Sequence, residues 1–188
     1  MRRYRSLLLF CVLCSACDSP PDPRNTNYVV DRRGVKAQYD SKTGRLTRLE
    51  VDTNKNGVTD AWTYQEGTRI DRIELDKDEN GKIDRWEHYL DGKLARVGTS
   101  TRGDGIEDEW AYQRADGSLE RVETDTDRDG RVDKWEAFDA PPMPGGRPIL
   151  RSVSMDPDSS GRPTRRLYYR VDGSFERSEI LTGKTPQH

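Results

Sequence analysis

Beyond residue 17 the chain contains no cysteine, because Cys11, Cys14 and Cys17 are the only three and all fall in the N-terminal segment. The remainder has no thiol pair to cross-link, even in an oxidising compartment, and no thiolate for zinc or nucleophilic chemistry. Histidine is almost as scarce, limited to His88 and His188, which removes the commonest general base and metal-binding imidazole. We therefore expect a protein that is not an enzyme. A basic excess is also missing. The 32 Lys and Arg residues face 34 Asp and Glu, for a net charge of −2, so no electrostatic footprint for nucleic acid is expected. Hydrophobic residues make up only 31% of the chain, which argues against one deep core and for small clusters repeated along its length.

The one apolar run, Leu7 to Leu13, follows Arg2, Arg3 and Arg5 and precedes small residues. It is too short for a mature membrane span and reads as an export signal over residues 1–16. The Cys-Ser-Ala-Cys segment ending at Cys17 resembles the lipobox of bacterial lipoproteins. The resemblance implies acylation of Cys17, with the lipid as the membrane partner, and Asp18 resembles the inner-membrane retention signal of enterobacterial lipoproteins. The expected location is the bacterial cell envelope, with inner and outer membrane both open. Cleavage after residue 16 removes three arginines and no acid, leaving 29 basic against 34 acidic residues, a net charge of −5. Residues 17–34, rich in proline and charge, read as a disordered tether.

From Val35 the sequence repeats. AQYDSKTGRLTRLEVD from Ala37 is succeeded by related segments starting at Thr63, His88, Ala111 and Tyr168. Each has an aromatic residue, a Gly-containing turn and a short apolar and polar alternation, which together predict a β-hairpin. The first copy resembles the YD repeats of large bacterial surface and toxin shells, which implies the same hairpin. Between hairpins lie five acidic loops starting at Asp52, Asp76, Ser100, Asp125 and Asp156, a period that points to a repeat architecture. The repeat domain is expected over residues 35–182, with a tail at 183–188. The segment 140–148, APPMPGGRP, reads as an exposed insert that interrupts the array.

The second loop, DKDENGKIDRWE, and the fourth, DTDRDGRVDKWE, carry oxygens at positions 1, 3, 5 and 9, glycine at 6, a β-branched residue at 8 and glutamate at 12. That is the ligand spacing of an EF-hand calcium loop. Calcium takes six to eight oxygens, and this pattern supplies them. The candidate ligands are Asp76, Asp78, Asn80, the Lys82 carbonyl, Asp84 and Glu87 in loop two, and Asp125, Asp127, Asp129, the Arg131 carbonyl, Asp133 and Glu136 in loop four. Loop one offers Asp52, Asn54, Asn56, the Val58 carbonyl and Asp60, but has Thr63 at position 12. Loop three has Ser100 and Arg102 where ligands belong, and Arg102 is expected to bring a positive charge into that site and exclude metal. Loop five reads as a turn. Only twelve residues, His88 to Thr99, separate loops two and three, too few for two helices but enough for two strands.

Trp62, Trp86, Trp110 and Trp135 recur at loop position 11, either as an aromatic row that stacks on sugar or a partner or as residues packed against the neighbouring hairpin. Pairs such as Arg48/Glu50, Arg72/Glu74 and Arg121/Glu123 suggest cross-strand ion pairs on a solvated face. The expected fold is all-β: repeated antiparallel hairpins, as a meander or curved repeat sheet, with EF-type loops lacking EF-hand helices. The expected function is a Ca2+-binding, non-catalytic binding or spacer module of the bacterial envelope, with an envelope protein or glycan as partner. The alternative is an accessory or docking subunit of an envelope enzyme or secretion complex. Dockerins resemble the chain in their loops alone, since in them a helix comes after each loop.

Overall fold

The computed structural model describes residues 29–32, 34–143, 145–158 and 160–181. The predicted signal, Cys17, residues 17–28 and 33 of the tether and the tail at 183–188 lie outside these residues. Thirteen strands form one sheet in strict chain order, every pair of neighbours antiparallel. They are β1 (Val29–Arg32), β2 (Val35–Tyr39), β3 (Leu46–Val51), β4 (Ala61–Glu66), β5 (Arg69–Leu75), β6 (Arg85–Leu90), β7 (Lys93–Thr99), β8 (Glu109–Gln113), β9 (Leu119–Thr124), β10 (Lys134–Asp139), β11 (Ile149–Met155), β12 (Arg165–Tyr169) and β13 (Phe175–Ile180). Among the described residues there is no helix, so the acidic loops connect strands.

Two findings correct the predicted boundaries. Residues 29–32, inside the predicted tether, pair with β2 as the first strand. The insert 140–148 lengthens the β10–β11 connection without interrupting the array, since the two strands pair directly. Its prolines fall outside the strands, where a missing amide costs no ladder bond.

Among the described residues, strands touch only their sheet neighbours. The sheet is therefore open, and no second layer covers either face among the described residues. Its buried apolar residues are few and small: Ala37, Ala61, Val97 and Val153. Burial is concentrated instead in polar side chains, six of which come from the acidic loops: Asp60, Asp76, Ser100, Asp108, Asp125 and Asp156. This inversion of the usual core makes the loops central to stability.

Connections alternate between two edges. One edge carries the five nine-residue loops, 52–60, 76–84, 100–108, 125–133 and 156–164, together with the short β1–β2 turn at Gly34; the other carries the remaining Gly-containing turns and the insert. Two of these turns have two residues, Gly67-Thr68 and Asp91-Gly92; the second, at φ 50° and 75°, has the left-handed pair of a type I′ hairpin turn. A register shift recurs once per repeat, at Gln38/Tyr39, Tyr64/Gln65, His88/Tyr89, Tyr112/Gln113, Ala137/Phe138 and Tyr168/Tyr169. Such bulges add local twist and fix register.

Because strand side chains alternate between faces, one face collects two rows. Cross-strand partners place Glu50, Trp62, Glu74, Trp86, Gly98, Trp110, Glu123 and Trp135 side by side next to the loop edge. The next row holds Arg48, Tyr64, Arg72, His88, Arg96, Tyr112 and Arg121. Apart from Gly98, acid alternates with indole in the first row, and arginine with tyrosine or histidine in the second.

Candidate functional site

The loop edge repeats one geometry five times. The residue at position 9 donates its amide to the carbonyl just before the loop, as in Asp60 to Val51 (3.0 Å), Asp84 to Leu75 (2.8 Å), Asp108 to Thr99 (3.0 Å) and Asp133 to Thr124 (3.0 Å). The amide at position 1 donates to the carbonyl at position 9 of the preceding loop: Asp76 to Asp60 (2.9 Å), Ser100 to Asp84 (2.8 Å), Asp125 to Asp108 (2.9 Å) and Asp156 to Asp133 (2.8 Å). The loops are thus joined to one another as well as to their own strands.

Inside each loop the position 1 side chain turns inward and accepts amides from the tip. Asp76 accepts from Asn80 (3.2 Å) and Gly81 (2.9 Å), and Asp52 accepts from Asn56 (3.2 Å) and Gly57 (2.7 Å). Ser100 does the same through its hydroxyl. The backbone reverses hand twice: glycine at position 6 has φ 98°, 84° and 87° at Gly57, Gly81 and Gly130, and position 4 has φ 63°, 57° and 63° at Lys55, Glu79 and Arg128. The glycines were legible as turn residues. The left-handed, non-glycine position 4 was not, since lysine, glutamate and arginine share no side-chain signal for it.

The result in loop two is a convergence of Asp76, Asp78 and Asp84, and in loop four of Asp125, Asp127 and Asp133, with one carboxylate oxygen from each lying within 4.8 Å of the others. Asp76 is 2% exposed. Among the described residues none of Asp76, Asp78 and Asp84 forms an ion pair. Three hard oxygens brought together without a cation suit calcium or another hard divalent ion. Asn80 stays close, its side-chain amide bonding to Asp78 Oδ2 (2.9 Å) and to the Gly103 carbonyl (3.0 Å). Asp129 in loop four accepts from the Arg131 amide (2.8 Å), as Asn80 does from the Lys82 amide (2.9 Å).

Glu87 and Glu136 are not brought to these clusters, which corrects their assignment as twelfth-position ligands. The loop ends at position 9, and both glutamates lie in the next strand. There Glu87 accepts Arg85 Nε (2.8 Å) and the Tyr89 hydroxyl (2.9 Å), while Glu136 pairs with Lys134 (3.1 Å). A helix after the loop would swing position 12 back toward the ion; a strand carries it away.

Loop one sets Asn54 and Asn56 against Glu79 of loop two, to which both side-chain amides donate. Burial raises the Asp60 carboxyl, but the Thr53 hydroxyl (2.6 Å) and amide (2.9 Å) outweigh it and leave it below its ordinary value. In loop three Asp104 and Asp108 converge on an arginine, and it is Arg128 of loop four. The predicted Arg102 is exposed. The Arg128 guanidinium bonds to Asp104, with Nη2 3.3 Å from Oδ1, and its Nε lies 3.0 Å from Asp108 Oδ2. Hydrogen bonding to Arg128 holds the Asp104 carboxyl at about 2.

The rows of the sheet form a second ordered feature. The ion pairs run along single strands, not across them as predicted: Arg48 with Glu50 (3.4 Å), Arg72 with Glu74 (2.8 Å) and Arg121 with Glu123 (2.8 Å). Tyrosines intervene, with Arg48 and Arg72 lying 5.3 and 4.2 Å from the Tyr64 ring centre and Arg121 3.6 Å from that of Tyr112. The four tryptophans are half-buried within this pattern. At Gly98, where the row lacks an acid, Glu107 from loop three folds over the strand: a Cβ on Gly98 would fall 2.4 Å from its Oε2. Glu107 accepts the Trp110 indole N–H (2.6 Å) and pairs with Arg96 (3.3 Å). Sequence reading missed Glu107, although it stands at position 8, where loops two and four have Ile83 and Val132.

No family model matches the chain, and no curated protein does. Its sheet is similar to parts of three solved structures: accessory secretory protein 1, 2 and 3 from Streptococcus pneumoniae (14% identity, TM-score 0.43, 54% of this chain and 19% of that one); a TarM mutant from S. aureus in complex with Fondaparinux, alpha-GlcNAc-glycerol and UDP (12%, 0.43, 56% and 21%); and the Glycosylation Associate Protein complex Gap123 from Streptococcus agalactiae (17%, 0.44, 56% and 21%). The chain therefore spans about a fifth of the length of each of these proteins.

Proposed function

We propose that the protein is a calcium-binding repeat lipoprotein that serves as a non-catalytic binding or spacer module of the bacterial envelope. The observation that carries the metal part is the convergence of Asp76, Asp78 and Asp84, one of them 2% exposed, with no cation among them. Like charges so placed stabilise a fold only when a cation joins them, and the sheet they serve has almost no apolar core. Calcium at loops two and four then ties neighbouring hairpins together along one edge. The anchor rests on the resemblance of Cys17 to a lipobox, and the spacer role on an open sheet that grows by one hairpin per repeat.

Equilibrium dialysis of the full chain against calcium tests this. At least two ions should bind with dissociation constants of about 0.1 to 1 mM, the range of extracellular modules. Asp78→Asn and Asp127→Asn should each remove one. Absence of binding up to about 10 mM would end the proposal.

A second reading, an accessory or docking subunit, draws support from the row of Trp62, Trp86, Trp110 and Trp135 on a face that no second layer covers. It expects one stoichiometric protein partner in detergent-solubilised membranes, lost when two of these tryptophans are changed to alanine.

A further inference from the structure

In loops two, three and four, position 4 lies against the loop before. Glu79, fourth in loop two, takes hydrogen bonds from Asn54 and Asn56 of loop one. Gly103, fourth in loop three, lies over the ligands of loop two: a Cβ there would sit 3.4 Å from Asp78 Oδ2, 3.6 Å from Asn80 Nδ2 and 3.6 Å from Asp84 Oδ1. Arg128, fourth in loop four, places its guanidinium on Asp104 and Asp108 of loop three. The side chains at these three junctions are therefore an acid, none and a cation.

We propose that loop three is supplied with a built-in cation, the Arg128 guanidinium of loop four, and that the fourth residues of loops two, three and four thereby decide what the loop before each of them binds. Arginine fills the site permanently; its planar donors satisfy two carboxylates at once, as a metal would, and always bear a charge. Glycine leaves loop two clear for a divalent ion. Glutamate adds a carboxylate beside the two amide side chains of loop one, which otherwise has Asp52 and Asp60 alone. Asp108, 3% exposed, shows what the arginine accomplishes: an acid buried as deeply as Asp76 is neutralised from within the chain. The left-handed backbone at position 4 aims the side chain backward, and it is held by loop four itself, through the Arg128 amide on Asp125 Oδ1 (2.7 Å). The third junction should accordingly hold without metal.

The test has two arms, both on the full chain. In chelator, a double-mutant cycle joins Arg128→Gln and Asp104→Asn. A seated guanidinium predicts coupling of about tenfold in the unfolding equilibrium, and additive effects overturn the proposal. If Arg128→Gln does not fold, Arg128→Lys replaces it; loss of the two-carboxylate fork should still give coupling to Asp104→Asn, and additivity again overturns the proposal. The second arm rests on the proposed calcium binding by loop two. Gly103→Arg should bind one calcium fewer than the wild type, whereas Gly103→Ala, with the same backbone strain and no cation, should keep it. Non-glycine residues at Lys55, Glu79 and Arg128 show that this backbone accepts a side chain. Equal calcium binding by Gly103→Arg and the wild type overturns the rule. A wild type that binds no calcium defeats the calcium reading instead, and the chelator arm alone then decides the role of Arg128.

Discussion

Asp78→Asn should make the protein more stable in chelator and less stable in calcium than the wild type. The carboxylate oxygens of Asp76, Asp78 and Asp84 lie within 4.8 Å of one another. At that separation each pair repels by about 1 kcal/mol at the dielectric of water and by about 3 kcal/mol at an effective dielectric near 20. Asp78 takes part in two of the three pairs. Among the described residues its hydrogen bonds come from Asn80, from the amide at 3.2 Å and the side chain at 2.9 Å, and an asparagine oxygen can accept one of them. The net gain in chelator is therefore about 1 kcal/mol or more, which for a chain of this size raises the melting temperature by about 2 to 4 °C. In 10 mM calcium the order reverses. A site with a dissociation constant of 0.1 to 1 mM stabilises the wild type by about 1.4 to 2.7 kcal/mol at that concentration, and the variant forfeits this. Thermal melting monitored by far-ultraviolet circular dichroism reads both halves. If Asp78→Asn melts no higher than the wild type in chelator, or gains as much from calcium, the three carboxylates are not the electrostatic cluster described.

The ladder and the loop junctions lead to three further expected outcomes. Tyr64 carries two guanidinium contacts and donates its hydroxyl to Glu74 at 3.0 Å; Tyr64→Phe should cost about 1 kcal/mol and Tyr64→Leu about 2 kcal/mol or more in urea unfolding, and equal costs would deny the cation–π part. Burial, then the neighbouring Arg96, lowers the His88 pKa below 6.5, so the unfolded chain takes up the proton first and stability should fall as pH drops below about 6.5; His88→Tyr, which restores the tyrosine found at the equivalent positions 64 and 112, should abolish that dependence. Arg128 holds the Asp104 carboxyl at about 2, against 3.8 for an ordinary aspartate, so the stability it contributes is complete above about pH 4 and is lost as pH falls toward 2; Arg128→Gln should move the onset of acid unfolding upward, and an unchanged onset would contradict the pairing.

Much of the fold was legible because two periods coincide in the sequence. Residue alternation marked the strands, Asp-Gly and Glu-Gly marked the hairpin turns, and the short span between loops excluded helices. Where the reading ran out, the physics was nonlocal. The ligand pattern located the acids at positions 1, 3 and 9, but the place of position 12 depends on the element after the loop, and a strand directs Glu87 into its own ion pair with Arg85. The cation of loop three was expected from Arg102, nearest in sequence, whereas the loop-to-loop register supplies Arg128 from a repeat away. Arg/Glu spacing of two residues was read as cross-strand pairing, yet two residues along a strand share a face and meet directly. Glu107 illustrates the same limit, since only the empty surface of Gly98 explains why an acid belongs there.

On the proposed reading, cations at loops two and four hold one edge of an otherwise thinly cored sheet, while loop three is held from within. Amide hydrogen exchange on the full chain, compared between chelator and saturating calcium, tests it most directly. Calcium should increase protection over 76–84 and 125–133 and leave 100–108 unchanged, already protected in chelator. Unaltered exchange in loops two and four, or a gain at loop three equal to theirs, would contradict it.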